Sequence, residues 1–388
     1  MTTQQPPKVI VVQQLLKNFR RPLHDGVHQQ LRAQGVEYQL VFSAPQGAEI
    51  SKGDCLSTAP AESYRQVPIR HLGPLVWQHP AGWRSARVIV VEQANKHLFN
   101  WYLLLNLALL PACCWPQRRK PALVFWGHGF NHQRRHGLGE WLKRQLLRCP
   151  TGWLSYTETV TDYLRQQGVP ATRITTLNNS VANQQFGQQV QRLRTQRQQA
   201  QPTTVFASPQ QVAVAKPLVL LFCGALYQDK QLPLLLEVAA KLVDAGVVAK
   251  LIVLGDGPLR ALLTATPYPW LDYRGACFAD DKAQAFAEAD LVFNPGLVGL
   301  AILDAFAAGL PFITTDFTGH SPEISYLQHQ VNGLILPMQP QALVQSITEL
   351  QKNPRLLAAL AAGASHSAQK YSMAAMVQNF SRGVLQWL

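Results

Sequence analysis

The residues best suited to chemistry lie between Asn294 and Asp316, in the run NPGLVGLAILDAFAAGLPFITTD. An apolar run ends at Asn294, and Pro295, Gly296 and Gly299 make a tight turn. A helix is expected from Val298 to Ala308, stopped by Gly309 as a glycine C-cap ahead of Pro311. Main-chain N–H groups at such a helix start, near Val298, Gly299 and Leu300, form a seat for phosphate oxygens with help from the macrodipole. Asp304, nearly two turns on, presents a carboxylate that can accept hydrogen bonds from sugar or ribose hydroxyls. His128, His132 and His136 have a spacing that would suit metal ligands on a helix, but Gly127, Gly129 and Gly137 make the segment a loop, and no metal is expected. The segment Arg134 to Arg148 interleaves Trp141, Leu142, Leu146 and Leu147 with Lys143, Arg144 and Arg148. It suits an anionic membrane surface and, equally, an ordinary helix with its apolar stripe in a core.

These residues need a frame, and the hydrophobic pattern supplies one. Short Val/Ile/Leu-rich runs alternate with helical patterns, the mark of βαβ units and a parallel sheet covered on both faces. In the first half the runs are Lys8 to Val12, Tyr38 to Phe42, Arg87 to Val91, Leu123 to Trp126, Trp153 to Tyr156 and Ile174 to Leu177, with helices at Pro22 to Gln34 and Thr159 to Gln167. From Ala182 to about Lys216 the chain turns Gln-rich and reads as a linker or surface excursion with one helical segment. Strands then follow at Leu218 to Cys223, Lys250 to Leu254, Tyr273 to Gly275, Leu291 to Asn294, Pro311 to Thr314 and Gly333 to Leu336, and two helical patterns fill Pro340 to Leu388. The expected division is residues 1–182 as an N-terminal Rossmann-like domain, 183–216 as a Gln-rich linker or excursion, 217–370 as a second Rossmann-like domain, and 371–388 as a helix returning to the first domain.

Composition agrees with a folded globular protein of two cores: 388 residues, 47% hydrophobic and 15% charged. The net charge of +13 calls for an anionic partner. No nucleic-acid-binding signature accompanies it, so an anionic ligand or membrane surface is expected and nucleic acid is not. The six cysteines have neither metal spacing nor a repeated framework and read as reduced, mostly buried thiols of a cytoplasmic protein. Met1 to Pro7 is polar and does not read as a signal peptide. Leu98 to Trp115 is uncharged over 18 residues but interrupted by Asn100, Asn106 and Pro111, and is expected as a buried helix rather than a membrane span. No strand is followed by the G-x-G-x-x-G fingerprint of a dinucleotide-binding oxidoreductase.

The run at Asn294 to Asp316 resembles the donor-site motif of the retaining family-four glycosyltransferases, and its neighbours occur in that family's order. Phe222-Cys223-Gly224-Ala225-Leu226 with Lys230 resembles the first strand and loop of the donor domain. Leu251 to Pro258, Tyr273-Arg274-Gly275, Glu288-Ala289-Asp290, Thr315-Asp316 through Pro322-Glu323, and Val331-Asn332-Gly333-Leu334 continue the series. The N-terminal half is similar at Arg173-Ile174-Thr175 to Asn179-Ser180-Val181 and at Phe125-Trp126-Gly127-His128. The resemblance implies a GT-B fold, two Rossmann-like domains facing each other across a cleft. It also implies a nucleoside diphosphate sugar as donor, transfer to a hydroxyl with retention, and no metal or other cofactor.

Carried over residue by residue, the resemblance makes Lys230 the cation on the diphosphate and Asp304 the ligand that orients the donor. It makes His128 the residue beside the transferred sugar and Cys277 a contact near the base. Gly224, Gly296, Val298, Gly299 and Leu300 complete the donor site. Two positions depart from the pattern: Ala225 stands where the family has Arg, and Gly296 where its paired carboxylates begin with Glu. Arg20 or Arg21, after the first strand, is the expected substitute cation at the cleft. The expected role is transfer to a glycan or lipid-linked acceptor in cell-surface polysaccharide or lipopolysaccharide synthesis, on the inner face of the plasma membrane. The alternative is a non-catalytic GT-B protein that binds a nucleotide sugar or partners an active transferase.

Overall fold

The computed structural model describes residues 6–51, 53–115, 119–129, 144–200, 216–265 and 268–388. His132, His136 and most of the basic segment from Arg134 lie outside them. The chain divides into two compact units, Met1–Val181 with Met373–Leu388, and Ala182–Ser372.

The first unit is built on seven parallel strands: β1 (Lys8–Leu15), β2 (Glu37–Ser43), β3 (Tyr64–Gln66), β6 (Val88–Glu92), β7 (Ala122–Gly127), β8 (Gly152–Ser155) and β9 (Ile174–Thr176), in the order β3-β2-β1-β6-β7-β8-β9. Alternate residues of the central strands enter different cores. Val9, Val11, Val88, Val90, Val124 and Trp126 face one side, and Ile10, Val12, Ile89, Val91, Leu123 and Phe125 the other. Side chains alternate with period two, so an unbroken apolar strand must be covered on both faces. The Arg21–Arg32 helix covers one face through Leu23, Val27 and Leu31, packed with Met376, Val377, Phe380 and Val384 of the closing Met373–Leu385 helix.

Strand β3 and the antiparallel hairpin of β4 (Ile69–Leu72) and β5 (Leu75–Gln78) were not expected, because each is only three or four residues long and interrupted by Arg, His or Gln. The uncharged stretch also differs from expectation. It forms a 12-residue helix, Leu98–Leu109, that buries Phe99, Asn100 and Leu103 but leaves Leu105 58% and Leu109 75% exposed. No helix among the described residues is long and apolar enough to cross a membrane. The thiols depart from expectation as well: Cys113, Cys114 and Cys149 are exposed, and Cys55, Cys223 and Cys277 half-buried.

The second unit carries six parallel strands: β10 (Leu218–Cys223), β11 (Val248–Leu254), β12 (Leu271–Gly275), β13 (Leu291–Phe293), β14 (Phe312–Thr315) and β15 (Gly333–Leu336), ordered β12-β11-β10-β13-β14-β15. Three helices, Pro340–Lys352, Pro354–Lys370 and Met373–Leu385, occupy the stretch where two were expected; Asn353 caps the second through Leu356 N–H and so splits the pattern. The Gln-rich stretch is not a loose connection over Gln184–Ala200. It is a helix packed on the Ala279–Glu288 and Ala301–Ala307 helices. Its polar composition hides a narrow contact stripe of Phe186, Gly187 and Val190, and Arg194 donates to the carbonyls of Phe286, Ala289 and Ala308.

In both sheets the strand order reverses once, between β1 and β6 and between β10 and β13. Ligands of open α/β sheets bind at the carboxyl ends of the strands beside such a reversal.

Candidate active site

In the second unit the loops after β10 and β13 flank that reversal and interlock. Gly224 N–H donates to Leu254 carbonyl and Leu226 N–H to Asp256 carbonyl, which ties the loop to the turn after β11. Gly255, at φ 139°, has no room for a side chain because a Cβ would collide with Gly224 carbonyl. The loop then forms the 3-10 turn Gln228–Lys230, whose backbone lies against Gly296. A Cβ at Gly296 would strike Asp229 carbonyl oxygen and the Lys230 backbone, and Leu297 N–H donates to Asp229 carbonyl at 2.7 Å. Glycine at position 296 is therefore a packing requirement of this loop.

Lys230 is 5% exposed, and its ammonium sits beside Gly224 and donates to Leu297 carbonyl at 2.5 Å. Burial pulls its pKa down from 10.5 to about 8. Cationic at neutral pH and stripped of most of its water, it is poised to gain from an anionic ligand. Ala225 places no second cation on the same loop.

The turn after β13 is braced from several sides. Leu297 carbonyl also accepts from Asn294 Nδ2 at 3.0 Å, and Thr315 Oγ1 donates to Pro295 carbonyl at 2.6 Å. The helix expected from Val298 instead runs Ala301–Ala307. Val298 N–H is not open to a ligand, because it donates to His320 Nδ1 at 3.0 Å. The other ring nitrogen bonds Thr315 carbonyl at 2.9 Å, so His320 is the Nε2–H tautomer, and burial lowers its pKa and keeps it neutral. Gly299 and Leu300 N–H groups have no acceptor among the described residues.

Asp304 is also placed differently from expectation. Its carboxylate pairs with Lys282 Nζ at 2.7 Å and accepts from Asn183 Nδ2 at 3.1 Å, so both oxygens are engaged within the unit. The reason is the Ala279–Glu288 helix, which brings Lys282 against Phe186, Phe286 and the carboxylate. Cys277 follows β12 and donates its thiol to Arg274 carbonyl at 3.4 Å, with burial pushing its pKa up. The neighbouring Phe278 is 78% exposed, and Ala279 after it takes φ 44°, a strained conformation for a residue with a side chain.

In the first unit, Arg20, Trp126, Tyr156 and His128 come together at the carboxyl ends of β1, β7 and β8. The Arg20 guanidinium lies 5.5 Å from the Trp126 ring and 5.4 Å from the Tyr156 ring, and His128 lies against Tyr156 at 4.3 Å between ring centroids. Arg21 is not part of this group. It is exposed and pairs with Asp25 one helical turn away. Beneath lies a buried relay in which Tyr38 hydroxyl bonds His24 Nδ1, His24 Nε2 bonds Gln13 Oε1, and Gln13 Nε2 donates to Glu92. Burial lowers the His24 pKa to about 3 and raises that of Glu92.

The one cluster with metal-ligand geometry among the described residues is Glu49, Asp54 and Cys55. Lys17 already neutralises it, at 3.0 Å from Glu49 and 2.8 Å from Asp54.

Comparison with known proteins identifies the fold. The chain is similar over nearly all of its length to solved structures, of which two serve as examples. One is Anabaena Alr3699/HepE in complex with UDP: TM-score 0.63, 14% identity, 98% of this chain and 100% of that one. The other is sucrose-phosphate synthase from Thermosynechococcus elongatus: TM-score 0.66, 13% identity, 98% of each chain. The fold is GT-B. Within this GT-B chain, residues 217–353 match the family model described as Glycosyl transferases group 1, a span holding Gly224, Lys230, Gly296 and Asp304. A curated relative, the GDP-mannose-dependent alpha-(1-6)-phosphatidylinositol dimannoside mannosyltransferase of Mycobacterium tuberculosis (strain ATCC 25177 / H37Ra), is 30% identical over 150 residues. That match spans 37% of this chain and 38% of the relative.

His320, Lys282 and Phe278 escaped the sequence reading. His320 lies in TTDFTGHSPE, and its proximity to the motif in sequence was the one available signal. Lys282 and Phe278 gave none, since their importance comes from packing across helices and from exposure.

Proposed function

We propose that the protein is a retaining glycosyltransferase, moving a sugar from a nucleoside diphosphate sugar to a hydroxyl of a glycan or lipid-linked acceptor in cell-surface polysaccharide or lipopolysaccharide synthesis. The observation that carries the reading is Lys230, a buried ammonium beside Gly224 at the β10/β13 reversal, inside the segment that matches the glycosyltransferase model. Its charge meets the negative charge that develops on a diphosphate leaving group, and in a water-poor setting that contact is worth most in the transition state. Gly299 and Leu300 N–H groups add main-chain donors in the same braced turn. No metal is required in this scheme, because Lys230 supplies the cation.

The bond from the anomeric carbon to the diphosphate breaks, a bond from the acceptor oxygen to that carbon forms on the same face, and the acceptor proton passes to a diphosphate oxygen. His128 is assigned to the transferred sugar, and Cys277 and Phe278 to the neighbourhood of the base. Asp304 acts by clamping Lys282 and Asn183 rather than by holding hydroxyls. The related proteins support the donor class: HepE is described with UDP and UDP-glucose, and the mannosyltransferase as GDP-mannose-dependent. A lipid-linked acceptor at an anionic membrane surface is supported by the exposed Leu105 and Leu109, with Arg84 bonded to Asn106 on the same helix and Lys120 to Leu107 carbonyl.

The second reading, a non-catalytic nucleotide-sugar binder, is favoured by Ala225 and by the packed Gly296. Incubation with a panel of uridine- and guanosine-diphosphate sugars separates the two. Release of nucleoside diphosphate, with an α-donor giving an α-product by NMR, supports the transferase. Tight binding with no release from any donor supports the second reading.

A further inference from the structure

Arg20 ends the 3-10 turn Asn18–Arg20 after β1 and is 7% exposed. Buried guanidinium groups are ordinarily paired with carboxylates or carbonyls. Among the described residues none lies within ion-pair or hydrogen-bond distance of the Arg20 guanidinium. Its one acceptor is the thioether of Met376, 3.9 Å from Nη1, and its remaining contacts are the faces of Phe19, Trp126 and Tyr156. The same sulfur receives the Ser180 N–H at 3.2 Å. The indole N–H of Trp126, whose ring Arg20 covers, is buried with no acceptor. Glu92, which feels the Arg20 charge, is turned to Gln13 Nε2 and Gln14 N–H instead.

The guanidinium and the Ser180 N–H thus converge on Met376 sulfur, a weak acceptor, and the indole N–H without an acceptor belongs to the ring that the guanidinium covers. That is the complement of an oxyanion, for which convergent N–H groups and a planar guanidinium are the preferred partners. The aromatic faces hold the guanidinium in place beforehand. Met376 is unbranched and adaptable, so its sulfur can yield the position. The location, at the carboxyl end of β1 beside the β1/β6 reversal, is where such a sheet takes ligands.

We propose that Arg20, the Trp126 indole N–H and the Ser180 N–H form an oxyanion site in the N-terminal unit, which takes a phosphate or carboxylate group of the acceptor. Only the word acceptor rests on the transferase reading; the site stands on its own geometry. The test is calorimetric titration of the full chain, saturated with whichever nucleoside diphosphate it binds, or without one if none binds. Inorganic phosphate is used in one arm and glucuronate in the other, against chloride at matched ionic strength.

The site predicts binding in at least one arm. Phosphate alone identifies a phosphorylated group, and glucuronate alone a carboxylated sugar. Arg20→Met weakens that binding by about tenfold or more, the usual effect of losing a charge-assisted hydrogen bond. Trp126→Phe, which keeps the ring and removes only its donor, weakens it by a smaller factor and decides the matter if the arginine variant does not fold. Binding in neither arm, or wild-type affinity in the folded variants, overturns the proposal. Failure of the transferase reading shows separately, as no release of nucleoside diphosphate from any donor of the panel.

Discussion

Replacing Lys230 by Met removes the buried ammonium and keeps most of its apolar stem. Lowering the pKa from 10.5 to about 8 corresponds to about 3 kcal/mol by which folding disfavours the charged form. The sign follows from proton uptake. Below pH 8 both folded and unfolded chains carry the proton and the penalty is complete. Between about 8 and 10.5 the folded chain has released it while the unfolded chain has not, so stability rises with pH. The ligand-free Met variant should therefore be no less stable than wild type at pH 7. Leu297 carbonyl keeps its bond from Asn294 Nδ2, which limits what is lost. Binding should move the opposite way: losing a charge-assisted contact costs about 1.5–3 kcal/mol, roughly tenfold to more than a hundredfold in nucleoside diphosphate affinity. Wild-type affinity should also decline as pH rises through 8, and the variant should show no such decline. Chemical denaturation and calorimetric titration from pH 6.5 to 9.5 measure both. A variant that is markedly less stable at pH 7 yet binds nucleotide as tightly as wild type would refute the reasoning and make Lys230 a structural lysine.

Gly296→Glu should lower both stability and nucleotide affinity, since the Asp229–Lys230 backbone occupies the space; a thermal melt with a binding titration checks this. Asp304→Asn should cost about 1–3 kcal/mol in urea denaturation by leaving Lys282 half-buried without its anion, and adding Lys282→Met should recover part of the loss. Leu105→Glu with Leu109→Glu should abolish flotation with anionic liposomes while leaving nucleotide binding intact.

The fold was legible because its signal is local and repeated. Strands such as Lys8–Leu15 and Leu218–Cys223 are continuous apolar runs, and a run buried on both faces requires a parallel sheet with helices above and below. Gly224, Lys230 and Gly296 stood out for a similar reason, since each lies in a short stretch whose residue types are constrained together. What escaped notice depends on contacts far apart in the chain. Nothing near Asp304 in sequence announces Lys282, 22 residues earlier, or Asn183, 121 residues earlier. Gly296 reads as a lost carboxylate until the Asp229–Lys230 backbone is seen against it. Arg20 reads as a solvent-seeking cation, and only the fold boxes it among the rings of Phe19, Trp126 and Tyr156. The Gln184–Ala200 helix was obscured by composition, because three residues carry its contact stripe while glutamine dominates the rest.

The central claim, a donor diphosphate seated at the β10/β13 reversal, is tested most directly by a crystal structure of the full chain with a bound nucleoside diphosphate. The predicted result places diphosphate oxygens within hydrogen-bond distance of Lys230 Nζ and the Gly299 or Leu300 N–H, with the base toward the Cys277–Phe278 loop. A nucleotide bound elsewhere, with Lys230 still turned to Leu297 carbonyl alone, would contradict it.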